Sequence, residues 1–149
     1  MKTKASTFFT QEEREKIRAA ISEAEKETSG EIRVHLETSV SGSVLDRAAW
    51  IFKKIGMHAT ENRNGVLFYL AVGDKKFAII GDKGINQKVP ENFWDSTMSI
   101  LQDHFRKGKF AEGLVEGIHQ AGDQLKHHFP HKSDDVNELP DDISFSDNE

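Results

Sequence analysis

The 149-residue chain has no cysteine, which excludes disulfides, thiolate metal sites and thiol nucleophiles together. Long apolar runs are missing too: the longest, Val66 to Val72, has seven residues, against the roughly 20 that a membrane helix needs. The N-terminal stretch "MKTKASTFFTQEE" carries lysines but no apolar segment of signal-peptide length. The expectation is a soluble, cytoplasmic protein without a membrane span. An excess of basic charge is also absent. The formal charge is −5, and residues 130–149 hold seven of the 25 acids with Lys132 as their only base. The remainder is close to neutral, so electrostatics give no reason to expect nucleic acid as a partner.

What is present reads as one domain of alternating helices and strands. Thr10 and Glu13 have capping-box spacing, and Ile17, Ala20, Ile21 and Ala24 follow at helical intervals, which predicts a helix from about Gln11 to Thr28. "EIRVHLET" then alternates, with Ile32, Val34 and Leu36 on one face and Arg33, His35 and Glu37 on an exposed or polar one. Ser43 opens a second helix with Leu45, Ala48, Ala49, Phe52 and Ile55 as its apolar stripe, and Gly56 stops it. "VLFYLAV" is apolar throughout, so it reads as a strand covered on both faces, and "FAII" after the "GDKK" turn reads as its antiparallel partner. A third helix is expected from Pro90, with Trp94, Met98, Leu101 and Phe105 inward, and a fourth buries Leu114, Ile118, Ala121 and Leu125 before Pro130. Trp50, Trp94 and Phe105 read as core residues. The implied class is α/β, with helices on both sides of a small sheet. Residues 7–129 form the domain, and residues 130–149 an acidic tail, disordered or laid on the domain through Val136, Leu139, Ile143 and Phe145.

The tripeptide Gly-Asp-Lys occurs at residues 73–75 and again at 81–83. The first copy falls at the hairpin tip, where glycine and aspartate suit a tight turn. One strand later, the second copy falls at the opposite end of the sheet, near "SGE" and "ENRNG". Three polar loops are thereby expected to meet. They carry Glu31, Glu61, Asn62, Asn64, Asp82 and Asn86, hard oxygen donors of the kind that hold Ca²⁺. Asn and Asp also commonly do no more than satisfy turn backbones, and that reading stays open here.

Recognisable catalytic patterns are missing. "DKGINQKVPENF" fails as an EF-hand loop, and Gly81, Lys83 and Gly84 match neither phosphate-binding glycine motif. His127, His128 and His131 offer imidazoles for adventitious zinc or nickel, but Pro130 precludes a regular helical pair of ligands. No serine sits in a nucleophile elbow.

In "NGVLFYLAVGDKKFAIIGDKGI" and "GKFAEGLVEGI" the chain resembles the TPM domain family over about Thr7 to Phe129. The resemblance implies a three-layer α/β/α sandwich around a mixed sheet of about four strands, one more than the sequence shows. It also implies a divalent ion, typically Ca²⁺ with Mg²⁺ as an alternative, where loops 57–65 and 81–90 cross. Asn64, Asp82 and Asn86 fall on the motif loops, whereas Glu61, Asn62 and Glu31 are added on their chemistry, and Asp103 as a residue of the third helix. Many relatives carry an acid where this chain has Arg63, and another where it has Asn86, which should weaken metal affinity. The implied role is a regulatory or interaction domain with an unidentified protein partner. Two alternatives accompany it: a metal-dependent acid phosphatase, as some plant relatives are, and an interaction module that uses its acidic tail.

Overall fold

In the computed structural model, which describes residues 3–132 and 143–148, the apolar run after Asn64 becomes an inner strand of a four-stranded sheet. The strands are β1 (Glu31–Glu37), β2 (Gly65–Ala71), β3 (Lys76–Gly81) and β4 (Ile143–Ser146), in the spatial order β3-β2-β1-β4. β1 runs parallel to β2 and to β4, while β2 and β3 form the antiparallel hairpin. Every residue of β2 is buried, because both faces of the sheet are covered.

The helices are α1 (Ala5–Phe8), α2 (Gln11–Glu25), α3 (Val44–Lys54), α4 (Lys83–Asn86), α5 (Asp95–Arg106) and α6 (Phe110–Leu125). On one face of the sheet, Ile32, Val34, Val66 and Phe68 share a core with Ile21 of α2, Leu101 of α5 and Leu114 and Ile118 of α6. On the other face, Leu67, Tyr69 and Ala78 lie under Ala48, Ile51 and Phe52 of α3. The result is the three-layer α/β/α arrangement. α6 packs between α2 and α5, and its glycines make the close approach possible. A Cβ on Gly117 would stand 2.9 Å from Leu101 Cδ2, and one on Gly122 2.8 Å from Ala24 Cβ. Gly117 of the "GKFAEGLVEGI" motif therefore serves helix packing.

Local signals hold at the starts of α2 and α3. Thr10 and Glu13 exchange both hydrogen bonds of the capping box, at 2.9 and 3.1 Å, and Ser43 Oγ accepts from the Asp46 N–H to cap α3. Three expectations need correction. Pro90 does not open a helix: a turn follows it and α5 starts at Asp95. The inward stripe of α3 is Val44, Ala48, Ile51, Phe52 and Ile55, with Leu45 and Ala49 outward, because the helix is rotated from the expected phase. Trp50 is not a core residue. It is half exposed, and its ring lies under Arg47 and Lys54, 4.5 and 4.7 Å from the centroid, a cation–π arrangement that lets an aromatic ring face solvent.

The polar face of β1 is also largely buried. Glu37 is fully buried, and Arg47 Nε and Nη2 each donate to its carboxylate at 2.7 Å while Tyr69 Oη donates at 2.6 Å. Burial alone would raise the Glu37 pKa, but these donors outweigh it and hold it below its ordinary value. Beside it, His35 Nδ1 lies 2.6 Å from Ser144 Oγ of β4. Burial lowers the His35 pKa to about 4; neighbouring Glu37 opposes that shift, and Arg33, Arg47 and Lys54 add to it. The unfolded chain therefore protonates this imidazole below about pH 6.5 while the folded chain resists until about pH 4. Stability should fall as pH drops through that window, by roughly 2–3 kcal/mol from this group, with loss of the Glu37 contribution at still lower pH. Urea unfolding between pH 7 and pH 4 should show the decline, and His35→Gln should make it shallower.

Candidate functional site

Two backbone pairings create the end of the sheet where loops meet. Glu31 sits beside Gly65 in the parallel pair, and Val66 beside Gly81 in the antiparallel one. Hydrogen bonds continue beyond the strands: Glu31 N donates to Asn64 O at 3.1 Å and Asp82 N to Gly65 O at 2.9 Å. The segments 28–31, 60–65 and 81–86 are thus locked together by main chain before any side chain acts.

The tightest contact is at Gly84. Its N–H donates to Arg63 O at 2.9 Å, and a Cβ there would stand 2.2 Å from Asn62 O and 2.6 Å from Arg63 O. No side chain fits without separating the loops. Arg63 itself has a φ of 49°, in the left-handed region that few residues other than glycine, asparagine and aspartate adopt readily. That turn aims its guanidinium at Asp82. Nε and Nη2 donate to the two carboxylate oxygens at 2.7 and 2.9 Å, a bidentate pair. Asp82 Oδ1 also accepts from the Lys83 N–H at 2.8 Å, so the same carboxylate caps the four-residue helix α4.

Asn64 is 1% exposed. Its Nδ2 donates to Ser29 O at 2.9 Å, and its own N–H donates to Thr60 Oγ1 at 3.2 Å. Its side-chain oxygen, Oδ1, is buried with no hydrogen-bond partner among the described residues. Burying an amide oxygen unpaired costs about 1–3 kcal/mol, and native structures contain few such groups. Glu31 is buried at the start of β1, whereas Glu61, Asn62 and Asn86 are exposed, Asn86 Nδ2 donating to Gly81 O at 3.1 Å. Asp103 is exposed on α5 between Leu101, which meets Gly117, and Phe105, which meets Phe77 near the hairpin tip. Asn64, Asp82, Asn86, Glu31, Glu61 and Asn62 accordingly lie on the joined segments, and Asp103 lies outside them. Among the described residues, no group of three His, Asp or Glu side chains converges as a metal-ligand cluster. A cleft of about 310 Å³ adjoins the loops, lined among others by Asn62, Gly84, Lys88, His128 and Phe129.

Sequence reasoning registered Arg63 as a missing acid and not as the partner of Asp82. The available signal was a cation next to the Asn-Gly that opens β2. The buried Glu37–Arg47 pair was also missed, although Arg47 follows the Ser43 cap at the spacing of one helical turn.

A match to the TPM domain model covers residues 3–124, and the chain belongs to the TPM domain family. Its fold closely matches the solution structure of the BA42 protein from the psychrophilic bacterium Bizionia argentinensis, at 50% identity and a TM-score of 0.91, over 96% of this chain and 99% of that one. The N-terminal domain of a P. gingivalis protein shares the fold at 21% identity and a TM-score of 0.66, over 85% of this chain and 83% of that one. A third N-terminal domain, from Corynebacterium glutamicum, does so at 13% identity and a TM-score of 0.62, over 91% and 79%. The search among curated proteins gives no match. No helix among the described residues is long and apolar enough to cross a membrane.

The crossing predicts a sharp contrast between two substitutions. Gly84→Ala should destabilise the fold by roughly 2 kcal/mol or more, because two carbonyl groups must move. Asn86→Ala, at an exposed amide, should cost no more than about 0.5 kcal/mol. Parallel urea titrations of the two variants measure the difference.

Proposed function

We propose that the crossing loops are the working end of a non-enzymatic, regulatory binding domain that takes up a divalent cation, Ca²⁺ with Mg²⁺ as a substitute. The observation that carries this reading is the buried, unpartnered Asn64 Oδ1 on the same joined loops as the Asp82 carboxylate. Hard oxygen donors suit Ca²⁺, which takes six to eight of them in flexible geometry. Asn64 and Asp82 would hold the ion, with Asn86, Glu31, Glu61 and Asn62 as the further oxygen donors of the same segments. Bound there, the cation supplies positive charge that ties the loops together.

The chemistry of these oxygen donors suits such an ion, with one competitor. Arg63 already engages both oxygens of Asp82, so guanidinium and ion compete for one carboxylate, and the loops remain joined in either state. Such competition makes the domain responsive to cation concentration. Binding is favoured over hydrolysis because two hydroxyls at this end, those of Thr28 and Thr60, are engaged in structure: Thr28 Oγ1 donates to Phe129 O and accepts from Gly30 N, and Thr60 Oγ1 accepts from Asn64 N. An acid phosphatase would need a nucleophile beside a base.

Titration of the ¹⁵N-labelled chain with CaCl₂ tests the reading. Amide shifts should concentrate in residues 57–65 and 81–90. Arg63→Gln should tighten binding by roughly tenfold, since it removes a competing charge next to the ion, and Asp82→Asn should weaken it by at least as much. Absence of shifts at millimolar Ca²⁺, or shifts centred elsewhere, would sink the proposal.

A further inference from the structure

At the other end of the sheet, a cleft of about 280 Å³ opens between the β2–β3 hairpin and the turn joining α5 to α6. Its apolar wall includes Val72, Phe77, Phe105 and Phe110. Ring contacts fix that wall: Phe77 meets Phe105 edge-on at 5.0 Å, and Phe105 lies 5.1 Å from Phe110. All three rings are only partly buried, so the cleft presents aromatic surface to whatever enters it.

Three exposed cations, Lys75, Lys76 and Arg106, line the same cleft, and no acid does. None of the three makes an ion pair among the described residues, in a chain whose net charge is −5. Placing three like charges around a low-dielectric wall is electrostatically unfavourable without a counter-charge. Lys75 adds a conformational cost, since its φ of 55° lies in the left-handed region. Apolar clefts that carry a few convergent polar groups are the usual form of small-molecule sites, at volumes from roughly 300 Å³ upward. This one lies at the small end, which excludes a bulky ligand from full burial.

We propose that the cleft binds a small amphipathic carboxylate, its apolar body against the phenylalanines and its head group at Lys75, Lys76 and Arg106. The site lies at the opposite end of β3 from Asp82 and does not depend on cation binding there. Charge complementarity selects the head, and the aromatic wall selects the body.

Octanoate and octan-1-ol, titrated separately into the ¹⁵N-labelled full chain, discriminate the two contributions. Octanoate should shift amides within residues 70–77 and 102–110 and bind at least roughly tenfold more tightly than the alcohol, as expected when one charged contact is worth over about 1.4 kcal/mol. The triple variant Lys75→Gln, Lys76→Gln, Arg106→Gln changes only exposed positions, so it should keep the fold. It should reduce octanoate affinity to that of octanol and leave octanol binding unchanged. Equal affinities for acid and alcohol would overturn the proposal, as would octanoate shifts outside these segments or a triple variant that binds octanoate as well as the parent chain. Binding of an acidic peptide to this face without any binding of octanoate would overturn it in favour of a protein partner.

Discussion

The contact of Gly84 with the carbonyls of Asn62 and Arg63 governs the architecture of the candidate site. It allows the loop entering β2 to cross the loop leaving β3 at hydrogen-bond distance, 2.9 Å from Gly84 N to Arg63 O. The contact is imposed by the sheet. A parallel β1–β2 pair puts the starts of both strands at one edge, and the antiparallel hairpin returns the end of β3 to it. The groups that this convergence buries must find their hydrogen-bond partners on the loops themselves. The Arg63–Asp82 pair, the Asp82 cap on α4 and the Asn64–Ser29 bond are the result. Asn64 Oδ1 is a buried oxygen on these loops that the arrangement leaves without a hydrogen-bond partner among the described residues.

The same sheet separates two chemistries along its length. At one end lie carboxylate and amide oxygens on crossing loops. At the other lies an aromatic wall with Lys75, Lys76 and Arg106. The repeated Gly-Asp-Lys spans both. In the first copy Asp74 accepts a hydrogen bond from Val40 N at 2.8 Å and Lys75 takes the positive φ; in the second, Asp82 caps a helix and pairs with Arg63. Identical tripeptides thus acquire different partners because a single intervening strand carries them to opposite ends.

Burial of Glu37 shows how a charged residue is kept inside the fold. Two bonds from Arg47 and one from Tyr69 compensate the lost hydration. His35 is buried beside them without ionising near neutrality. Strand β4 completes this face: Ser144 reaches His35, and Thr38 N donates to Ser146 O at 3.2 Å. Asp147 and Asn148 then fasten the end of the strand to Ser6, Thr38 and Ser39. The polar side of β1 is therefore covered by segments from distant parts of the chain.

Periodicity and caps in the sequence determined most elements. The capping box at Thr10, the alternation in β1, the uninterrupted apolar run of β2 and the hairpin all depend on near neighbours, whereas the convergence of the three polar loops follows from the strand directions in the sheet. Val136 and Leu139, two of the expected tail anchors, lie outside the described residues. Ile143 and Phe145 form part of β4, whose four residues were too few to show a period against the acidic background. Trp50 looked like core because its type is apolar, yet the rotation of α3 is fixed by packing on Leu67 and Tyr69 and turns it outward between Arg47 and Lys54. The partner of Arg63 also depended on the fold, since it is 19 residues away. What the sequence by itself determined was where short-range order begins and ends. The tertiary structure alone decided which charges meet, because ion pairing depends on distances that only the folded chain brings within a few ångströms.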